Sequence, residues 1–281
     1  MASLRAGRLL GPRRCHRGWP AGSTQRRGGA AFAELPPIAS ADPATMGARS
    51  LTAHMREAAV RWRIEHPPFW EAALGRLREL AAELELQEAA RLLACFRHLR
   101  LVDPELLEHC ERLVVQAGDD ALLRLRQGEL LELVEALGAM RRPAALEPAL
   151  RPLVVRAHRL DAGQLTRALT AASCADGGKA ATELADAAAR SFVERGDVSA
   201  PALAAFLESA VALAAGGHCL TGPRSGLALL VQHSGRRARE QPEEFGPHLE
   251  CLLRSAQAMA LPAPALERSL QEAAGAEPRP A

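Results

Sequence analysis

Five stretches of this chain repeat one layout: an apolar residue, a short polar or Pro/Gly cap, and then a stripe of Leu and Ala at helical spacing. They begin at Leu86, Leu125, Leu160, Val198 and Phe245, with separations of 39, 35, 38 and 47 residues. Each is followed by a second stripe, so the repeating unit is a pair of helices. One hairpin cannot cover both of its apolar faces, and neighbouring units must stack to bury them. The pattern predicts an all-α chain, an α-solenoid of about five to six stacked antiparallel helical hairpins over residues 51–275. An irregular helical bundle is the competing arrangement.

The stripes follow the i, i+3, i+4, i+7 spacing of a half-buried helix. Leu130, Leu133, Val134 and Leu137 form one, and Leu146, Ala149, Leu150, Leu153 and Val154 form its partner. Leu165, Ala168 and Leu169 pair with Leu184, Ala185, Ala188 and Phe192, and Leu203, Phe206, Leu207 and Ala210 with Leu227, Leu230 and Val231. Leu249, Leu252, Leu253 and Ala256, with Leu266, Leu270 and Ala273, close the series. Asp103 and Pro104 read as the cap and first turn of the helix carrying Leu106, Cys110, Leu113 and Val114 as its buried stripe. Glycines 118, 138, 196, 216, 217 and 235 are expected where helices stop. A partial leading unit, Leu51 to Ile64 and Phe69 to Glu83, would cap the stack. With aromatic residues at only 3% and no Tyr, a β-sandwich or barrel is excluded.

Residues 1–33 carry seven arginines, and the first carboxylate is Glu34. An Arg-rich start without acids reads as an organellar transit peptide, mitochondrial first (matrix) and plastid second; a basic nucleic-acid-binding arm is the other reading. Residues 34–50, with three prolines, read as a linker, and residues 276–281 as a polar tail. The chain's formal +2 includes those seven arginines, so the remainder carries −5. Strongly basic character is the usual mark of phosphate-backbone binding, so any RNA contact has to be local. The single Lys (Lys179), two Ile and absence of Asn suggest a GC-rich coding sequence, which makes Arg abundance a weak signal. Six scattered cysteines without CxxC read as free, mostly packed thiols.

Several constellations imitate active sites. Cys95, His98, His109 and Cys110 could face one another across a hairpin as zinc ligands, yet Cys110 belongs to an apolar stripe and reads better as core. Gly177-Gly178-Lys179 lacks the Gly and hydroxyl that a phosphate loop needs at positions 173 and 180. Ser225 fails GxSxG, because no strand precedes it. No catalytic residue, metal or cofactor is expected. The apolar run 198–220 has Glu208 at its middle and reads as a central helix, not a membrane span. Trp62, Phe69 and Trp70 read as a seal at one end of the stack, although aromatics also stack on bases. Corresponding turns of stacked hairpins line one edge. That edge would gather Arg97, Arg100, Arg141, Arg142, Lys179 and Arg224 into a positive ribbon able to follow a phosphate backbone. Charge at helix C-termini is favourable anyway, which supplies a structural reason for the same residues.

The layout at Leu125 to Leu137, Leu160 to Leu169 and Phe245 to Leu253, behind an Arg-rich start, resembles the heptatricopeptide and Fas-activated serine/threonine kinase-like helical repeats. It also resembles the repeats of RNA-editing substrate-binding complex proteins. The resemblance spans about residues 51–275 and implies an organellar α-solenoid without catalysis. Such a protein would act in RNA stability, processing or editing, or with the mitochondrial ribosome, and contact RNA, ribonucleoprotein or other proteins through its surface. No strand-rich C-terminal domain follows, and no recurring pair of code residues supports base-by-base readout. A purely structural subunit or assembly scaffold of a mitochondrial complex is the alternative expectation.

Overall fold

The computed structural model describes residues 42–64, 66–99, 103–175, 178–217 and 225–275. They form helices α1 (Ala48–Arg56), α2 (Pro67–Glu79), α3 (Leu86–Leu99), α4 (Pro104–Gln116), α5 (Gln127–Ala139) and α6 (Pro143–Arg156). These are followed by α7 (Ala162–Cys174), α8 (Gly178–Arg195), α9 (Ala200–Ala215), α10 (Gly226–Glu240), α11 (Leu249–Ala258) and α12 (Pro264–Gly275). Short helical turns fill the connections, and no strand occurs among the described residues.

The fold is an α-solenoid of six hairpins in two layers. Odd-numbered helices stack in the order α1, α3, α5, α7, α9, α11, and the even-numbered helices from α4 to α12 stack behind them. Corresponding helices of successive units run parallel. Gln87 and Glu129, both near helix starts, meet at 3.0 Å, and Gln127 meets Gln164 at 2.8 Å one unit on. One apolar cluster runs without interruption from Ala48 to Leu266. Most residues of the predicted stripes are in it; Leu113, Val154, Leu253 and Leu270 pack only at its margin, and Ala273 is exposed.

Why helices begin where they do is largely local chemistry. Asp103 accepts from the Leu106 amide at 3.0 Å and caps α4, with Pro104 supplying a fixed φ at the first position. Arg78 of α2 also binds Asp103, which ties the first unit to the second. Asp161 and Gln164 form a capping box at α7. The residues heading three repeats, Leu125, Leu160 and Val198, are extended or precede a cap, and their carbonyls share a partner. Arg156, Arg195 and Arg237, each near the end of the second helix of the same unit, reach back to bond them.

Two sequence expectations need correction. The linker ends earlier than residue 50, because Asp42 caps a short turn, Pro43 is buried, and Arg76 of α2 donates to the Met46 carbonyl at 3.3 Å before α1 starts at Ala48. Gly138 and Gly235 do not stop helices; they lie inside α5 and α10. A Cβ on Gly138 would lie 2.8 Å from the Ala171 carbonyl carbon, and one on Gly235 would lie 2.6 Å from the Ala265 Cβ. They are contact points where helices of adjacent units approach closely. Gly196, at φ +68, does stop α8 as expected. The expected transit peptide (1–33) and polar tail (276–281) lie outside the described residues.

Candidate interaction surface

The stacked helices place polar residues one unit apart opposite one another, and several ion pairs form between units there. Glu135 of α5 is buried and is clasped by Arg97 of α3 and Arg167 of α7, so one carboxylate ties three units together. Arg56 pairs with Glu132 at 2.6 Å, and Arg91 pairs with Glu129 at 3.3 Å. Further along, the Thr170 and Ser209 hydroxyls meet at 3.1 Å, and the Cys251 thiol donates to Glu208 at 3.2 Å. On the even layer an acid from one helix faces the start of the next. Glu111 lies 2.9 Å from Arg142, Glu147 lies beside Gly178, and Asp186 accepts from the Gly226 amide. Burial raises the Glu111 carboxyl above its ordinary range, and the Arg142 charge partly offsets this.

This pairing decides what the expected ribbon offers. Arg97 is committed to Glu135, Arg142 to Glu111, and Lys179 to Glu183 at 3.3 Å, the last pair highly exposed and weak. Arg141 is exposed at the α5–α6 turn with φ +56 and makes no ion pair among the described residues. Arg100 and Arg224 lie outside the described residues. A hollow of about 400 Å³ beside Arg141 is lined also by Ser173, Cys174 and Leu213, so it crosses the turn edges of three successive units.

The imitation sites resolve into structural roles. Gly178 begins α8 at φ +62 with the Glu147 carboxylate against it, a poor neighbour for a phosphate. Ser225 caps α10, accepting from the Ala228 amide at 3.2 Å. No cluster of three or more His, Cys, Asp or Glu residues suited to a metal ion occurs among the described residues. Cys95 and Cys110 are fully buried, and desolvation pushes both thiols up to about 12. Cys174 is exposed and Cys251 half-buried. The thiolate is the reactive form, so, of the four cysteines among the described residues, site-resolved alkylation near pH 8 should label Cys174 first, and Cys95 and Cys110 only on unfolding. The unfolded chain's thiols ionise near 9 and the folded ones near 12, so between these values the folded state holds more protons and stability falls as pH rises. A Cys95→Ala/Cys110→Ala variant should lose stability less steeply above pH 9 in denaturant titrations; an unaltered slope would contradict this.

The aromatic cluster divides. Phe69 and Trp70 are buried edge to face, 4.8 Å between centroids, with the Trp70 indole donating to the Ile64 carbonyl at 2.8 Å. Trp62 is 48% exposed. The apolar run containing α9 sits within the odd layer between α7 and α11, and no helix among the described residues is long and apolar enough to cross a membrane. A scan against protein-family models finds no match to the chain, and a search of curated proteins finds no significant match.

Proposed function

We propose that this chain is a non-catalytic helical-repeat protein of mitochondrial RNA metabolism that attaches to a ribonucleoprotein, such as the organellar ribosome, through the long surface of its stack. The observation that carries this reading is the unbroken core through six hairpins, because an open stack of units presents an extended surface for partners. The Arg-rich, acid-free start supports the matrix as its location, with a plastid as the other compartment, and the repeat layout supports the link with RNA.

A second reading, a scaffold subunit contacting protein alone, is favoured by two observations. The turn edge has spent Arg97 and Arg142 on ion pairs, and the chain beyond the first 33 residues is acidic. Sedimentation of the endogenous protein from organelle lysates, before and after nuclease, separates the two. Association with ribosomes or RNA that collapses on nuclease treatment is the expected result. Persistence in a heavy protein complex after nuclease would establish the scaffold, and migration as a free protein in both gradients would sink both. Changing Arg141 and Arg142 to Glu tests the edge itself: unchanged RNA retention would remove the ribbon from the interface.

A further inference from the structure

The end of the first hairpin carries a surface that core building does not explain. After α1 the chain continues in a π-helical turn over Glu57–Trp62, and Arg63 closes it in the left-handed region at φ +48. The Arg63 amide reaches the Ala58 carbonyl five residues back, the bond of a π-helical turn, and the Ile64 amide closes onto the same carbonyl at 3.0 Å. Such turns recur at functional sites, and a non-glycine residue at positive φ is uncommon. Here the turn sets a tryptophan on the surface beside two neighbouring arginines, all three exposed. The Arg61 guanidinium lies over the Trp62 ring, 5.3 Å from its centroid, and Glu57 steadies both by pairing with Arg61 at 3.1 Å and meeting the indole nitrogen at 3.5 Å. Arg63 has no ion pair among the described residues. His98, exposed at the end of α3, lies within the field of Arg63. Its pKa is lowered first by partial burial, then by Arg97 and Arg63, with Glu132 and Glu135 acting in the opposite sense.

An exposed indole with cations around it has the chemistry of a single-stranded nucleic-acid platform: a flat π-face for a base, guanidinium groups for the phosphates on either side. We propose that the Arg61, Trp62 and Arg63 surface binds single-stranded RNA, one base stacking on Trp62 while Arg63 holds an adjoining phosphate. This deepens the reading above and rests on it. The patch is local, so it is compatible with an acidic body, and it lies at the α1–α2 turn, the first position of the same turn edge, where Arg63 has no ion pair among the described residues. A hollow of about 420 Å³ lined by Ile64, His66, Trp70, Glu71 and Leu99 opens beside it, its apolar wall suited to a base and its Glu71 carboxylate unsuited to a phosphate.

The test uses the purified full chain with a fluorescently labelled oligoadenylate of about ten nucleotides and the duplex of the same length. Expected are a clear preference for the single strand, steep weakening with salt, and quenching of tryptophan emission on binding. Trp62→Ala should weaken binding by about tenfold. Trp62→Phe should keep most of the affinity and lose most of the quenching, and Arg63→Glu should weaken binding and flatten the salt dependence. Thermal unfolding should be unaltered in all three variants, because the side chains are exposed. Equal binding by wild type and Trp62→Ala, failure of the wild type to bind the oligonucleotide, or quenching by a protein partner with none by RNA would each overturn the proposal. Nuclease-sensitive sedimentation that survives Trp62→Ala would overturn it too, and leave the broader functional reading standing.

Discussion

Replacing Phe206 with alanine is expected to destabilise the stack by about 3–5 kcal/mol, among the largest costs of any single substitution in this chain. Phe206 of α9 is fully buried and meets Phe192 of α8 edge to face, with centroids 4.9 Å apart and planes at 74°. The two helices belong to successive units, so the pair bridges the odd and even layers across a unit boundary. Truncation removes the ring's burial, leaves a cavity that helices fixed on both sides close poorly, and deprives Phe192 of its partner, itself worth about 0.5–1.5 kcal/mol. Because a solenoid's stability is a sum of unit and nearest-neighbour terms, the loss should be read as uncoupling. Urea unfolding followed by hydrogen exchange should show the last two units, α9 to α12, opening before α3 to α8. Val155→Ala, at a 63% exposed position on α6, is the control and should change stability by less than about 0.5 kcal/mol. Equal effects of the two variants would mean that the buried pair does not couple the units.

The difference between those two positions was legible in the sequence. Phe206 falls in the Leu203, Leu207, Ala210 stripe, and Val155 does not complete the stripe of Leu146, Leu150 and Leu153. Helix-forming periodicity and caps such as Asp103 depend on residues a few positions apart, so they survive reading one chain from end to end. What that reading missed depends on residues one unit away. Arg97 looked like ribbon charge because its partner Glu135 is 38 residues on, and Arg167 sits 32 residues beyond that glutamate. Gln87 with Glu129 at 42 and Gln127 with Gln164 at 37 obey the same spacing. Aligning the units in register and looking down each column for opposite charges would have found these clasps before any coordinates. The exposed Trp62 had no such signal, since a π-helical turn that rotates one residue out of the core leaves no mark in hydrophobic spacing.

Glycine was the other blind spot, and it yields the sharper prediction because two glycines should answer the same substitution with opposite signs. Gly75 lies in the middle of α2 with nothing within 4 Å of a Cβ, so Gly75→Ala should stabilise by up to about 1 kcal/mol through helix propensity alone. Gly138 lies near the end of α5, where a Cβ would press on the carbonyl and Cα of Ala171 in α7. Those are backbone atoms and no rotamer change relieves the contact. The helices would have to separate, loosening the Glu135 to Arg167 clasp a turn away, and the overpacking cost of about 1–3 kcal/mol should exceed the propensity gain. With valine at 138, β-branching removes the propensity gain and adds bulk, so the cost should rise to at least about 3 kcal/mol. Denaturant midpoints of Gly75→Ala, Gly138→Ala and Gly138→Val should therefore fall in descending order around wild type, the first above it and the other two below. A midpoint for Gly138→Ala at or above that of Gly75→Ala would show that α5 and α7 do not stack through this contact. The parallel packing of successive units, on which the extended surface depends, would fail with it.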